Sequence, residues 1–331
     1  MKPRVSFIIP VRNDAARLGA CLRSIRSNSH ARGQIEIVVV DNGSTDGSSQ
    51  VASAFGAKVV PVEAGRVSEL RNRGARHATA DVFAFVDADH EIMAGWVYAA
   101  LDCLQVPTVG AVGALCHAPA DGTWVQQVYS HLRGTVGGQQ DVDWLGSGNM
   151  AVRRRAFDAL GGFDTSLDTC EDVDLCHRLR AQGFRILSDA RLKNIHYGDP
   201  RTLLEVLSSE RWRGRDNLRV SFRRPIVWAS VPSAIIPVCH IALLVVVLVG
   251  LLAAPVIGRA GLVVASLAIA GLFGATALHL VRAALREKRV RFSTLLQTFA
   301  VACAYDAGRA LAVVSRAPHR AVRARSVAAT S

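Results

Sequence analysis

Val82-Phe83-Ala84-Phe85-Val86 runs directly into Asp87-Ala88-Asp89. An apolar run of this length reads as a buried strand. Side chains alternate along a strand, so Asp87 and Asp89 are expected to leave its end on one face, where the sheet opens to solvent. With no basic residue between them, two such carboxylates repel each other unless a cation joins them. A hard divalent ion, Mg²⁺ or Mn²⁺, carrying a phosphorylated substrate is the usual solution. For an isolated D-x-D, the plain alternative is a surface turn that happens to hold two Asp.

The flanking sequence gives that strand its setting. Further strands read at 5–10, 35–40, 58–62 and 109–116, with helical segments at 14–27, 48–55, 67–78 and 94–104. This alternation implies an α/β fold: a mixed, mostly parallel sheet with helices on both faces. Ligands of such sheets bind at the carboxyl ends of the strands. Polar sequence collects there, as Arg12-Asn13-Asp14, as 41–46, and as Asp87-Ala88-Asp89. No G-x-G-x-x-G follows the first strand and no G-x-x-x-x-G-K-[ST] occurs, which disfavours a nicotinamide oxidoreductase or a P-loop NTPase.

Charge and hydropathy divide the chain of 331 residues. Residues 1–199 carry 21 basic and 22 acidic side chains, and residues 200–331 carry 18 and 5, so the net charge of +12 belongs to the second part. From 225 to 258 there is no charged residue, and after Arg259 a second uncharged stretch runs from 260 to 281. Each covers the roughly 20 residues a bilayer requires. Basic residues at 211–224 and 282–291 flank this hairpin, which by the positive-inside rule puts the front domain and the tail in the cytoplasm, at a bacterial-type cytoplasmic membrane. The basic excess suits anionic lipid headgroups rather than nucleic acid.

The expected organisation is a catalytic domain over 1–199, an amphipathic interfacial connector over 200–225, two membrane helices over 226–282, and a basic segment over 283–331. Segment 292–314 contains Asp306 and Arg309, and reads as an interfacial amphipathic helix, with a third span as the alternative. Pro232 and Pro237 argue against one straight helix at the start of the first span. No secretory leader is read at the start. The seven scattered Cys fit reduced thiols, and Cys170 and Cys176, with five residues between them and no second pair, do not make a zinc site.

Six sequences in order bear a family resemblance. Phe7-Ile8-Ile9-Pro10-Val11-Arg12-Asn13, the 39–47 stretch Val-Val-Asp-Asn-Gly-Ser-Thr-Asp-Gly, and 65–74 with Arg71-Asn72 inside come first. Asp87-Ala88-Asp89, then Gly148-Asn149-Met150 with Gly161-Gly162-Phe163-Asp164, and finally Glu171-Asp172-Val173-Asp174-Leu175 complete the set. Over about 5–196 the chain resembles family 2 glycosyltransferases of the GT-A fold, inverting enzymes that use nucleotide sugars. The resemblance implies a metal-dependent transferase acting on a nucleotide-diphosphate sugar donor.

It also implies the site. Pro10, Arg12, Asp41, Arg71 and Asp87 would bind the nucleotide; Asp41 at a strand end suits a uracil-type base, hence a UDP-type donor, and Arg71 would touch base or phosphate. The lesser alternative is that Asp41 only caps a turn through Asn42-Gly43, and Asp46 reads as the cap of the next helix. Asp89, with Asp87 and His196, would hold Mg²⁺ or Mn²⁺, and His90 is a lesser candidate. Asp172, opening a helix over 172–182, would be the general base. Gly148, Asn149, Glu171, Arg211 and Trp212 fall to the acceptor side, and Glu171 and Asp174 would orient the base or cap its helix. Arg153-Arg154-Arg155 reads as a solvated face.

Ser208-Ser209-Glu210-Arg211-Trp212 resembles the Q-x-x-R-W motif of processive synthases without its Gln, so Arg211 and Trp212 read equally as membrane-surface anchors. A membrane-tethered catalyst suits a lipid-linked acceptor, and points to exopolysaccharide or cell-envelope glycan assembly. The alternatives are a processive polysaccharide synthase, an inactive membrane scaffold, and a basic binding module.

Overall fold

The structure is a computed structural model that describes residues 4–28, 35–134, 137–223, 226–286 and 291–315. The described strands are β1 (Val5–Val11), β2 (Ile35–Asp41), β3 (Lys58–Pro61), β4 (Val82–Val86), β5 (His90–Ile92), β6 (Val109–Gly113), β7 (Gln139–Asp141), β8 (Asn149–Arg153), β9 (Arg185–Asp189) and β10 (Asn194–His196). The helices are α1 (Ala15–Ser27), α2 (Ser48–Ala54), α3 (Val67–His77), α4 (Trp96–Cys103), α5 (Trp124–Arg133), α6 (Arg154–Ala159), α7 (Glu171–Ala181), α8 (Leu203–Arg213), α9 (Asn217–Ser221), α10 (Val231–Ile257), α11 (Arg259–Arg286) and α12 (Phe292–Val314). Two compact units result. Residues 4–119 with 137–198 form the first, and 120–134 with 199–315 the second.

The first unit holds an eight-stranded sheet in the order β3-β2-β1-β4-β8-β6-β9-β7. β1 pairs in parallel with β2 and β4, and β8 runs antiparallel between β4 and β6. Every residue of β4 is buried, as an apolar run without alternation requires when both sheet faces are covered. Its side chains divide between two cores. Val82, Ala84 and Val86 pack with Leu18, Leu22 and Ile25 of α1 and with Trp96 of α4. Phe83 and Phe85 pack with Leu70 of α3, Phe157 of α6 and Leu175 of α7. Gly74 lets α3 lie close to the sheet, because a Cβ there would come within 2.5 Å of Ile8 Cγ2. β5 and β10 form a separate antiparallel pair, with His90 opposite His196.

In the second unit, α10 and α11 approach so closely that a Cβ on Gly261 would sit 2.6 Å from the Gly250 carbonyl oxygen. Residues Val231–Ile257 and Arg259–Val281 form helices long and apolar enough to cross a membrane. Contrary to the sequence expectation, α10 is continuous through Pro237. Pro232 lies in the first turn, where no intrahelical donor is needed. Pro237 lacks the N–H that would reach Ser233, and the side-chain amide of Asn217 donates to the Ser233 carbonyl instead, at 2.7 Å.

Segment Ala120–Gly134, which the sequence reading left in the front domain, belongs to the second unit. It carries α5, opened by a Thr123–Gln126 capping box. α12 also departs from a lone surface helix, since it packs on α5, α8, α10 and α11. Its two charges face protein. Asp306 accepts from Thr276 Oγ1 at 2.8 Å and lies 3.2 Å from His279 Nε2, while Arg309 Nε donates to Glu210 at 2.5 Å. The basic tail at 316–331, and Arg224-Pro225 of the connector, lie outside the described residues.

Candidate active site

The site lies in the first unit, at the carboxyl ends of the parallel strands. The loops after β1 and β2 are joined by side chains of the two opening motifs. Ser44 Oγ accepts from the Asn13 N–H at 2.9 Å, and Asn13 Oδ1 accepts from the Thr45 N–H at 2.7 Å. Asp46 serves two helix starts, accepting from Ala15 N at 2.9 Å and from Ser48 N at 3.1 Å. Asp41 is buried; its Oδ1 accepts from Ser44 N at 2.9 Å and its Oδ2 accepts from the Ser49 hydroxyl. Pro10 is half-buried in β1 between the buried Ile9 and Val11, and Arg12, the first residue past the strand, is half-buried as well.

β4 stops at Val86, so Asp87-Ala88-Asp89 is a turn, closed by His90 N–H donating to the Asp87 carbonyl at 3.1 Å. Strand alternation therefore does not align the two carboxylates, and each takes a different partner. Asp87 Oδ1 receives Arg71 at 2.6 Å. Arg71, 3% exposed on α3, gives its other terminal nitrogen to Glu171 Oε1 at 2.7 Å. The guanidinium expected on base or phosphate is thus committed to two carboxylates, and it ties the D-x-D turn to the start of α7. Its neighbour Asn72 fastens the same region, exchanging hydrogen bonds of 2.8 and 2.9 Å with the backbone of Phe163.

Cys170 adopts a left-handed conformation at φ 60° and turns the chain into α7 so that Glu171 and Asp172 open the helix together. Ser147, which the sequence reading did not single out, serves both. Its N–H donates to Asp172 Oδ2 at 3.2 Å and its hydroxyl to Glu171 Oε1 at 3.4 Å. Burial pushes the Glu171 carboxyl up to about 7, aided by the charge of Asp172 and opposed by Arg71. Burial also raises Asp172, against the N–H groups of Ser147 and Val173. A carboxylate poised above its ordinary range is suited to general-base work. Asp174 does not join them; it pairs with Arg178 at 2.8 Å along the helix.

Asp89, His90 and His196 bring ligand-capable atoms within 4.8 Å of one another. His196 Nε2 is 3.4 Å and His90 Nε2 is 3.7 Å from the Asp89 carboxylate. Burial works against charge on Asp89, but His196, His90 and Arg17 outweigh it and hold its carboxyl well below the usual range. A Cβ on Gly198 would fall 1.9 Å from Asp89 Oδ2, and one on Gly148 would fall 2.8 Å from both Asp87 Oδ2 and His90 Cε1. The glycines keep a cradle open around an N,O donor set, which fits a divalent cation.

Two residues expected on the acceptor side have packing roles. Gly148 is a space-keeper between Asp87 and His90, as above. Asn149 is fully buried and holds the core together, accepting from Trp96 Nε1 at 2.8 Å and donating to the carbonyls of Ala114 and Leu192 at 3.1 and 2.8 Å. Arg211 and Trp212 lie exposed on α8, in the second unit. Arg153, read as part of a solvated face, instead donates to the carbonyls of Val106 and Val109 at 2.7 Å.

Comparison with known proteins agrees with this geometry. Residues 6–161 match the family Glycosyl transferase family 2. The pre-mycofactocin glycosyltransferase of Mycobacterium tuberculosis is 30% identical over 196 residues, which is 55% of this chain and 40% of that protein. Glycosyltransferase AglE of Haloferax volcanii is 26% identical over 196 residues, 56% of this chain and 64% of that protein. The matches thus span only part of each curated relative. The mannosyltransferase PcManGT of Pyrobaculum calidifontis, solved with GDP-Man and Mn²⁺, has the same fold, with a TM-score of 0.58 over 93% of this chain and 87% of that one at 21% identity. With its signature residues gathered at the sheet's carboxyl edge, the first unit has the GT-A fold, and residues 6–161 within it and beyond are similar to glycosyl transferase family 2.

Proposed function

We propose that the chain is an inverting glycosyltransferase that moves one sugar from a nucleoside-diphosphate donor to a hydroxyl or phosphate of a lipid-linked acceptor. Asp172 takes the acceptor proton. The freed oxygen attacks the anomeric carbon from the face opposite the diphosphate, the bond to the diphosphate breaks, and the nucleoside diphosphate departs with that bonding pair. A single displacement inverts the anomeric centre. Asp89 and His196, with Asp87 beside them, are the residues that would hold Mg²⁺ or Mn²⁺, and such an ion, when bound, supplies Lewis acidity toward the leaving diphosphate.

The observation that carries this reading is the Asp87–Arg71–Glu171 bridge. It joins a donor-side carboxylate to the residue beside the base through one buried guanidinium. Asp41, paired with Val11 at the end of β2, is the residue that would meet a uracil-type base, and the two apolar helices support an acceptor that shares the membrane. The front unit would then face the cytoplasm, in exopolysaccharide or envelope glycan assembly.

The test is to incubate membranes holding the full chain with a panel of labelled nucleotide sugars. One donor should label the lipid extract, and chelation should abolish the labelling. Label absent from lipid, saccharide and polymer fractions with every donor would refute the reading, and long polymer on gels would replace it with processive synthesis.

A further inference from the structure

We propose that His90 is a third side-chain ligand of this cation, so that the site offers two imidazoles and one carboxylate and selects Mn²⁺ over Mg²⁺. The inference rests on the cation-dependent transfer proposed above and goes further, to the donor set and the identity of the ion.

The first support is register. β5 and β10 are three residues each, and their antiparallel pairing sets His90 directly across from His196. The rings come to 4.2 Å between centroids. Both turn Nε2 toward Asp89, one to each oxygen. At 3.7 Å the His90 contact is too long for an N–H···O hydrogen bond, and at 3.4 Å the His196 contact is at its limit. Two imidazole nitrogens thus meet on one carboxylate, one at each of its oxygens, in the arrangement of donors that could share a cation.

The second support is what holds the His90 ring from behind. Its Nδ1 lies 2.5 Å from the side-chain amide of Asn194, which is fully buried, and 3.9 Å from Cys116 Sγ. The amide's heavy-atom contact with the ring is the same in either orientation. With Oδ1 turned to the ring, Nδ1 carries the proton and Nε2 presents its lone pair to Asp89. An imidazole that donates its far N–H to an amide oxygen is the outer-shell arrangement of ligating histidines. The third support is space. The bare backbone at Gly148 and Gly198 lies against the His90 and His196 Nε2 atoms, where a Cβ would come within 3.1 and 2.9 Å.

A buried His at this position could serve packing alone. Packing does not require its free nitrogen to face a carboxylate that a second imidazole also faces. Imidazole suits the later divalent ions best and Mn²⁺ only tolerably, but Mg²⁺ accepts it least, preferring oxygen donors and keeping its waters. Two imidazoles therefore shift the balance toward Mn²⁺.

The full chain, purified in detergent or nanodiscs, is titrated with Mn²⁺ alone and the free ion is read by electron paramagnetic resonance, then displaced with Mg²⁺. The wild type should bind one Mn²⁺ that excess Mg²⁺ displaces poorly. His90→Gln should weaken Mn²⁺ binding by about tenfold or more and weaken Mg²⁺ binding less. Because His90 is buried, a pulsed measurement on the wild type avoids reliance on a variant: ¹⁴N couplings from two imidazoles are expected, falling to one in His196→Gln. Coupling to a single imidazole in the wild type, or an unchanged Mn²⁺-to-Mg²⁺ preference in a folded His90→Gln protein, overturns the proposal. Sugar transfer by the wild type is assayed separately, so a one-imidazole site with intact transfer removes only this inference.

Discussion

Replacing Arg71 should separate the stability of the site from its chemistry, and should do so with a defined pH dependence. Its two terminal nitrogens hold Asp87 at 2.6 Å and Glu171 at 2.7 Å in a setting where Arg71 is 3% exposed. Lysine presents a single point charge and can hold one carboxylate well, so Arg71→Lys loses one charge-assisted hydrogen bond, about 2 kcal/mol. Arg71→Gln leaves both acids without a cation, and removing one partner of a buried pair costs roughly 3–5 kcal/mol. The cost must vary with pH. The Glu171 carboxyl is raised from 4.5 to about 7 in the fold, so its contribution to stability is fully present below 4.5 and is lost as pH rises through 7. That displacement corresponds to roughly 3 kcal/mol against the charged form, with Arg71 already opposing it. Without Arg71 the carboxyl rises further, so Arg71→Gln should be hurt less near pH 5.5, where Glu171 holds its proton, than near pH 8.5, where the wild type has ionised. Thermal unfolding in detergent, followed by Trp fluorescence at both pH values, is the assay. At about 2–4 °C per kcal/mol for a unit of this size, the Arg71→Gln deficit should widen by several degrees between them. An equal loss at the two pH values would show that Glu171 and Arg71 are not coupled as described.

Asp172→Asn should retain nucleotide binding and lose transfer by at least about 100-fold, the usual scale of general-base catalysis, as seen by comparing UDP affinity with turnover. In the wild type, turnover should fall as pH drops through a value above that of an ordinary Asp, because burial raises Asp172; a pH–rate profile flat down to the normal Asp range would refute this. Gly198→Ala places a methyl 1.9 Å from Asp89 Oδ2 and should abolish Mn²⁺ binding while circular dichroism stays native. Asn149→Ala removes three buried hydrogen bonds and should destabilise the first unit by about 3 kcal/mol, measured as a drop in melting temperature, with the apparent affinity for donor unchanged.

The central strands and the helices packed on them are legible in the sequence because their signals are local. The apolar run 82–86 is β4 to the residue, and α1 and α3 begin and end within a residue of their expected limits. Short polar strands carry no such signal. β7, Gln139–Asp141, has every residue exposed and is defined by its pairing with β9, and the 148–150 motif does not announce that Asn149 bonds to Trp96, Ala114 and Leu192. β6 ends at Gly113, short of the expected 116, at a residue where a Cβ would strike the Asn149 carbonyl at 2.2 Å.

The site was legible as residue types but not as partnerships. Arg71 and Glu171 are 100 positions apart, and no spacing rule announces that one guanidinium joins them. Ser147 gave no signal beyond its place in a glycine-rich stretch. His90 stood next to Asp89 in the sequence, yet its opposition to His196 follows only from the pairing of β5 with β10. In the second unit, helix content was readable from apolar length. The rescue of Pro237 by Asn217 and the burial of Asp306 and Arg309 depend on tertiary neighbours that the local sequence does not name.

The configuration of the product tests the central claim most directly. With the α-linked nucleotide sugar that the membrane assay identifies, the anomeric proton of the purified product is read by nuclear magnetic resonance. A single displacement assisted by Asp172 predicts a β-linked product from the wild type, formed at least about 100-fold more slowly by Asp172→Asn. An α-linked product, or product formed by Asp172→Asn at the parent rate, would contradict the account.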